Sequence, residues 1–207
     1  MRRIAEQAER AGKVIKSVHD FVRRSDRVRE AVKPQALLDA IMPLVALQAR
    51  KLGVRIALEV DDACTPVLCD RTMVEQVLLN LARNGMQAMQ VGDQAGPPTR
   101  QPLDGVLTLR IRPASTGLPG RWVEFAVIDQ GEGISDDVAR QLFTPFFTTK
   151  KEGMGLGLSL CRTVIEQHGG FLGYENAWPQ GTIFSFTLPA AGLPATGVTA
   201  YNAMEEV

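Results

Sequence analysis

From Ile4 onward the apolar and small residues recur at Ile4, Ala8, Ala11, Ile15, Val18 and Val22, in alternating steps of four and three. That is the period at which a helix presents a continuous seam to another helix. The pattern predicts a long N-terminal helix in need of a partner, either a dimeric bundle or the chain's own domain. The charged run from Ser25 to Glu30 loosens it, and Pro34 suits the first position of a second helix because its missing N–H has no intrahelical acceptor there. This second helix, roughly Gln35 to Lys51, is stopped by Gly53. Val54, Ile56, Leu58 and Val60 then alternate with Arg55, Ala57 and Glu59 as in a strand. Asp70 is a good N-cap for a third helix that carries Val74, Val77, Leu78, Leu81 and Met89 on its apolar side and stops near Gly92.

Residues 92–104, with Gly96, Pro97, Pro98 and Pro102, read as a loop. Val106 to Arg112 and Trp122 to Asp129, separated by Pro113 to Gly120, read as a hairpin, so the sheet is at least partly antiparallel. A short helix from Ser135, a glycine-rich loop, a helix from Leu156 to Gln167, and strands near Phe171 to Glu175 and Thr182 to Leu188 complete the core. Without regular strand–helix–strand alternation, the order predicts an α+β fold, a two-layer α/β sandwich with a mixed sheet of about five strands on about three helices. The expected organisation is a helix over 1–30, a folded core over 34–189 and a flexible tail rich in Ala, Gly and Thr over 190–207.

At 207 residues and 45% hydrophobic content, the chain suits one well-buried domain with an appended helix. Its 23 basic and 23 acidic residues cancel, which excludes a global electrostatic footprint for nucleic acid or an anionic membrane; any anion site must be local. Cys64, Cys69 and Cys161 are odd in number and lack zinc spacing, so they read as small buried apolar residues in a reducing compartment. No apolar run approaches the roughly 18 residues of a membrane span, and no signal-peptide core follows Met1. A soluble, cytoplasmic piece is expected, whose parent can still be membrane-anchored.

Four segments carry candidate chemistry. Asn80 and Asn84 stand four apart on the third helix, so their amides share a face, and an amide oxygen is a hard ligand suited to magnesium. Alone, they are equally two exposed amides. Asp129 ends an apolar strand and enters a loop with Gly131 and Gly133, where a carboxylate can accept from an exocyclic amine; alone, this is an Asp–Gly turn. Phe143-Thr-Pro-Phe-Phe147 is the third segment. Gly153, Gly155 and Gly157 open a helix whose free amides can hold phosphate, with Lys150 and Lys151 just before them. Alone, they are a glycine hinge beside a solvated basic pair.

In this order the four segments resemble the N, G1, F and G2 boxes of the histidine kinase catalytic domain, within the superfamily shared with DNA gyrase, mismatch-repair ATPases and the heat-shock chaperone ATPase. The stretch from Phe143 to Gly170 and the short lid between Phe147 and Gly153 resemble the FixL/NtrB-like branch. The resemblance implies a Bergerat-type ATP fold with ATP and magnesium as cofactors. By resemblance Asp129 binds the adenine amine, supported through water by Thr182, and Asn84, helped by Asn80, holds magnesium. Lys150, Thr149 and the amides from Gly155 through Leu156 and Gly157 to Leu158 cradle the phosphates. Gln87, Ala88, Gly131, Gly133, Ile134, Phe143, Thr148 and Gly153 complete the implied ATP contacts, and Asn80, Asn84 and Lys150 the implied catalytic set.

In hydrolysing relatives the residue four before the magnesium asparagine is a glutamate that activates water. Asn80 cannot act as a general base, which favours phosphoryl transfer to a nucleophile presented elsewhere over hydrolysis. By resemblance that nucleophile is a histidine followed by an acidic residue, an apolar residue and a nearby proline. His19-Asp20-Phe21 copies three positions but lacks the proline, and the segment looks like the second helix of a dimerisation hairpin. His168 is expected to cap a helix end. The chain thus reads as cut within the dimerisation domain and unable to phosphorylate itself. The implied partners are a second copy, through the N-terminal helix bundle, and a response regulator receiver domain, with no nucleic acid and no membrane contact by this chain. The rival readings are a slow gyrase-type ATPase and a degenerate nucleotide-binding or dimerisation module.

Overall fold

A computed structural model describes residues 29–90, 105–114, 121–150 and 153–192. The predicted N-terminal seam, His19, the loop at 92–104, Lys151 and the tail beyond 192 lie outside the described residues.

The second predicted helix is α1 (Pro34–Leu52), with Pro34 in its first turn and Gly53 capping it at φ 68°, a left-handed conformation that glycine adopts without strain. The third is α2 (Arg71–Ala88), whose first turn is capped by the Asp70 carboxylate accepting the Met73 N–H at 3.0 Å. It ends at Ala88, a turn before Gly92, where Met89 packs into the core and the Gln90 N–H tightens the last turn onto the Gln87 carbonyl at 3.1 Å. Two strands escape the pattern reading, β1 (Glu30–Val32) and β3 (Val67–Cys69), which pair antiparallel beside the main sheet. At three residues each they are too short to show alternation.

The main sheet holds β2 (Arg55–Val60), β4 (Val106–Ala114), β5 (Trp122–Ile128), β6 (Leu172–Asn176) and β7 (Thr182–Pro189), in the order β2-β4-β5-β7-β6. Only β2 and β4 run parallel; the other pairs are antiparallel, so the sheet is mixed as expected. Alternate residues Leu107, Leu109, Ile111, Val123, Phe125, Val127, Phe184, Phe186 and Leu188 form the buried face. Phe125 and Phe186 stack across β5 and β7 at 5.0 Å between centroids. The edge strand β2 follows the pattern less well, with Leu58 46% exposed.

The short helix α3 (Asp136–Ala139) and α4 (Gly157–Gln167) follow β5. Helices α1, α2 and α4 cover the apolar face, which completes the two-layer sandwich. Cys69 and Cys161 are buried, but Cys64, expected inside, is only half-buried because it sits in the loop after β2. Among the described residues no helix is long and apolar enough to cross a membrane.

His168 caps α4, and its ring does more than close the helix. It is 3% exposed; Nδ1 lies 2.7 Å from the Val164 carbonyl, and Nε2 accepts the Asp70 N–H at 2.9 Å. Accepting at Nε2 requires the neutral ring with its proton on Nδ1, so one imidazole ties the end of α4 to the start of α2. Burial lowers its pKa from the ordinary 6.5, as does the charge of Arg29; the Val164 bond and Asp70 raise it. With the folded-state pKa depressed, the unfolded chain takes the proton first. Stability present above about pH 6.5 is therefore lost as pH falls below it. A urea denaturation series across that window should show a falling midpoint, and His168→Gln should flatten the slope.

Candidate functional site

Asp129 follows β5 immediately and is 2% exposed. Its Oδ1 accepts N–H bonds from Gly131 at 2.8 Å and Thr182 at 3.2 Å, while its own N–H donates to the Thr182 carbonyl at 2.9 Å. Burial pushes the carboxyl above its ordinary range; the two N–H bonds and the charge of Lys150 pull it back. Both bonds fall on Oδ1, so the carboxylate is held rigidly with Oδ2 engaged by neither. A fixed, desolvated acceptor of this kind discriminates for a ligand that brings a donor.

The surrounding backbone closes tightly on Asp129. At Gly181, with φ 116°, a Cβ would stand 2.0 Å from the Asp129 carbonyl oxygen. Gly131 lies under the end of α2, where a Cβ would meet that of Ala88 at 2.9 Å. Gly133 and Ile134 continue the loop, and Asn176 clamps it: the Ile134 N–H donates to Asn176 Oδ1 at 3.2 Å, and Nδ2 donates back to the Ile134 carbonyl at 3.3 Å.

From α2, Asn84 and Gln87 turn their amides toward the loop after α3. Asn84 Oδ1 and Gln87 Oε1 both accept from Lys150 Nζ, at 3.0 and 2.6 Å. Desolvation of this ammonium and the charge of Arg83 lower its pKa, against the pull of Asp129. Asn80 shares the helix face but engages other partners: Nδ2 donates to Cys161 Sγ at 3.2 Å, and Oδ1 accepts from Arg83 Nη2 at 3.3 Å. The two asparagines are neighbours that do not converge on one point here.

Between α3 and α4 the chain folds on itself. The Phe143 ring lies 5.1 Å from the Arg162 guanidinium. Thr148 Oγ1 accepts the Lys150 N–H at 3.1 Å, with Thr149 exposed between them. Phe146 donates its N–H to the Gly155 carbonyl at 2.8 Å. Gly155 has φ 68° and no room for a Cβ, which would fall 2.4 Å from the Phe146 carbonyl carbon. Gly153 packs as closely on Thr148. Leu156 is buried just before α4, whose first turn, Gly157 and Leu158 onward, has no side-chain cap. Its free N–H groups and helix dipole suit a bound anion.

The four segments therefore meet. Gly131 touches Ala88 of α2, Lys150 reaches Asn84 and acts on Asp129, and Gly157 lies against Asn80. The pattern reading missed Asn176, Arg83, Cys161 and Gly85. Gly85 lets α2 approach the sheet, since a Cβ there would lie 2.7 Å from Leu107 Cδ1 and 3.2 Å from Asp129 Cβ. A glycine inside a helical pattern was the available signal. Gly85→Ala should destabilise the fold by on the order of 1–3 kcal/mol, read as a lower thermal midpoint, and weaken ligand binding at Asp129 in the same preparation.

Among the described residues no group of three or more His, Cys, Asp or Glu is placed to hold a metal. The amide oxygens of Asn84 and Gln87 nevertheless converge on a cationic nitrogen. Few hard protein oxygens, with the rest of the shell left to phosphate and water, is the donor set magnesium accepts. The residues present fit that ion.

Residues 69–192 match the family of histidine kinase-, DNA gyrase B-, and HSP90-like ATPases. The chain belongs to this family. ATP is accordingly the ligand class of its catalytic domain. The chain is 39% identical over 195 residues to the C4-dicarboxylate transport sensor protein DctS of Rhodobacter capsulatus, covering 93% of this chain and 28% of that protein. It is 39% identical over 189 residues to the sensor protein FixL of Bradyrhizobium diazoefficiens, covering 91% and 35%. The chain thus spans about a third or less of the length of these relatives. The catalytic domain of histidine kinase ThkA superposes with a TM-score of 0.65 at 30% identity, over 79% of this chain and 96% of that one. ThkA solved in complex with the response regulator protein TrrA gives 0.66 at 27% identity, over 90% and 49%.

Proposed function

We propose that this chain is the part of a two-component sensor histidine kinase that binds Mg-ATP and delivers its γ-phosphoryl group to a histidine carried outside this chain. The observation that carries the reading is the junction on α2, where Lys150 lies on Asn84 and Gln87 and Gly85, between those two, sets Asp129 against the same helix, so that the metal face, the phosphate loop and the adenine acceptor adjoin. Asp129 accepts the adenine amine through Oδ2, with Thr182, Gly131, Gly133, Ile134 and Ala88 walling the ring. Asn84, with Gln87 and Asn80 beside it, holds magnesium, which when bound neutralises phosphate charge. Lys150, Thr148, Thr149 and the N–H groups from Gly155 to Leu158 hold the phosphates, with Phe143 and Gly153 beside them.

Transfer rather than hydrolysis follows from Asn80. An amide has no basic lone pair, and this one is already engaged by Arg83 and Cys161, so nothing at that position deprotonates water. Positioning and charge stabilisation suffice for phosphoryl transfer to a nucleophile brought by another domain. The chain's own histidines do not serve: His168 is enclosed in the core, and His19 lacks the acceptor sequence. The chain alone therefore does not label itself. Residues 34–189 are the catalytic core, and the phosphoryl group passes on to a response regulator receiver domain. The domain works on the cytoplasmic side.

The experiment is label transfer from γ-labelled ATP to a separately supplied dimerisation domain bearing an acceptor histidine. Acid-labile, base-stable label on that domain is the expected result. Steady phosphate release without such label would favour the ATPase reading, and neither product would leave a nucleotide-binding module.

A further inference from the structure

Helix α4 presents Gly157 and Cys161 one turn apart on a single face, and Asn80 of α2 lies in the slot between them. A Cβ at residue 157 would stand 2.8 Å from Asn80 Oδ1 and 2.9 Å from Nδ2, so the amide rests on the bare backbone of the first turn. One turn on, Cys161 Sγ accepts from Nδ2 at 3.2 Å, and at the other end Arg83 Nη2 donates to Oδ1 at 3.3 Å.

The two ends of an asparagine amide are nearly identical in shape, so packing fixes its place and hydrogen-bond partners fix which end points where. Cys161 is 4% exposed, and burial pushes its thiol up to about 12, so it is a neutral group held in place against the amide. With the sulfur receiving Nδ2, the oxygen is left on the Arg83 side. Rotated the other way, the amide would offer its NH2 to a cation, which repels it.

We propose that Cys161 is a positioning residue, receiving Nδ2 of Asn80 so that the amide oxygen stays on the Arg83 side, and holding α2 with its magnesium face in register with the N-terminus of α4. The inference rests on the reading of Asn80 and Asn84 as the magnesium face. A cysteine that merely filled the core would affect stability alone; an orienting cysteine affects the magnesium-dependent part of nucleotide affinity.

The test is calorimetric titration of ADP, with magnesium and with EDTA, into the full chain and its Cys161→Val, Cys161→Ser, Asn80→Ala and doubly substituted Asn80→Ala/Cys161→Val variants, with a thermal midpoint for each. Valine keeps an apolar volume and removes the acceptor, so Mg-ADP affinity should fall about tenfold while metal-free ADP affinity stays unchanged. Serine, whose hydroxyl accepts, should recover most of the loss. In the Asn80→Ala background the valine should change nothing further, as expected when one residue acts through another.

Parent-like Mg-ADP affinity in Cys161→Val, an equal loss with and without magnesium, or additive losses in the double variant would each overturn the proposal. If Asn80→Ala weakens Mg-ADP and Cys161→Val does not, positioning fails and the site reading stands. If the parent binds no nucleotide, or Asn80→Ala has no effect, both fail. Should Cys161→Val not fold, Cys161→Ala in the same titration gives the same decision.

Discussion

Asp129→Asn should reduce adenine-nucleotide affinity at least tenfold, about 1.4 kcal/mol, while leaving the fold intact. The carboxylate now receives two backbone N–H groups on Oδ1. An asparagine has one oxygen and one NH2 to place there. If its oxygen takes the Gly131 and Thr182 bonds, its NH2 faces the adenine amine, donor against donor; if it flips, the NH2 faces two backbone N–H groups. Either way a buried donor goes without an acceptor, and that is more costly than the loss of one bond. The same logic reverses specificity. A nucleotide with a carbonyl where adenine has its amine, such as inosine diphosphate, should lose far less affinity for the variant than ADP does. Titrating both nucleotides into parent and variant checks this, and equal losses for the two would place the base elsewhere.

Asn84→Ala should abolish the benefit of magnesium and slow phosphoryl transfer by about 100-fold to 1000-fold, the scale of removing one well-placed charge-stabilising group. Asn84 Oδ1 and Gln87 Oε1 share the Lys150 ammonium. Magnesium asks for the same hard oxygens that this cation uses, so Mg-ATP binding is expected to move Lys150 from the two amides to the phosphates. Without the Asn84 oxygen the ion has fewer protein ligands, and Lys150 is held by Gln87 alone. Single-turnover transfer to the supplied acceptor domain, across a magnesium series, measures the effect. A rate that keeps its parental magnesium dependence would remove Asn84 from the metal site.

Much of this architecture is legible in the chain because its elements are long enough to show a period. α1 and α2 carry clear helical spacing with Gly53 and Asp70 as punctuation, β4 and β7 alternate cleanly over seven residues or more, and β5, buried on both faces around Ala126, reads as a strand from its apolar run. β1 and β3 were not legible, since three residues make no period and their pairing joins segments far apart in sequence. The candidate site divides the same way. Asp129, Asn84 and the glycine-rich loop stand in local motifs whose chemistry needs those residue types. Asn176 and Cys161 reach the site from β6 and the second turn of α4, and only folding places them against Ile134 and Asn80. His168 was expected to cap a helix; its bond to the Asp70 N–H, across 98 residues of sequence, is invisible to any local reading.

A calorimetric titration of Mg-ADP into the parent chain tests most directly the claim that the four segments form one nucleotide site. The expected result is saturable binding of one nucleotide per chain, weakened by EDTA and by Asp129→Asn. A folded parent that takes up no Mg-ADP, or binds it with equal affinity after Asp129→Asn, would contradict it.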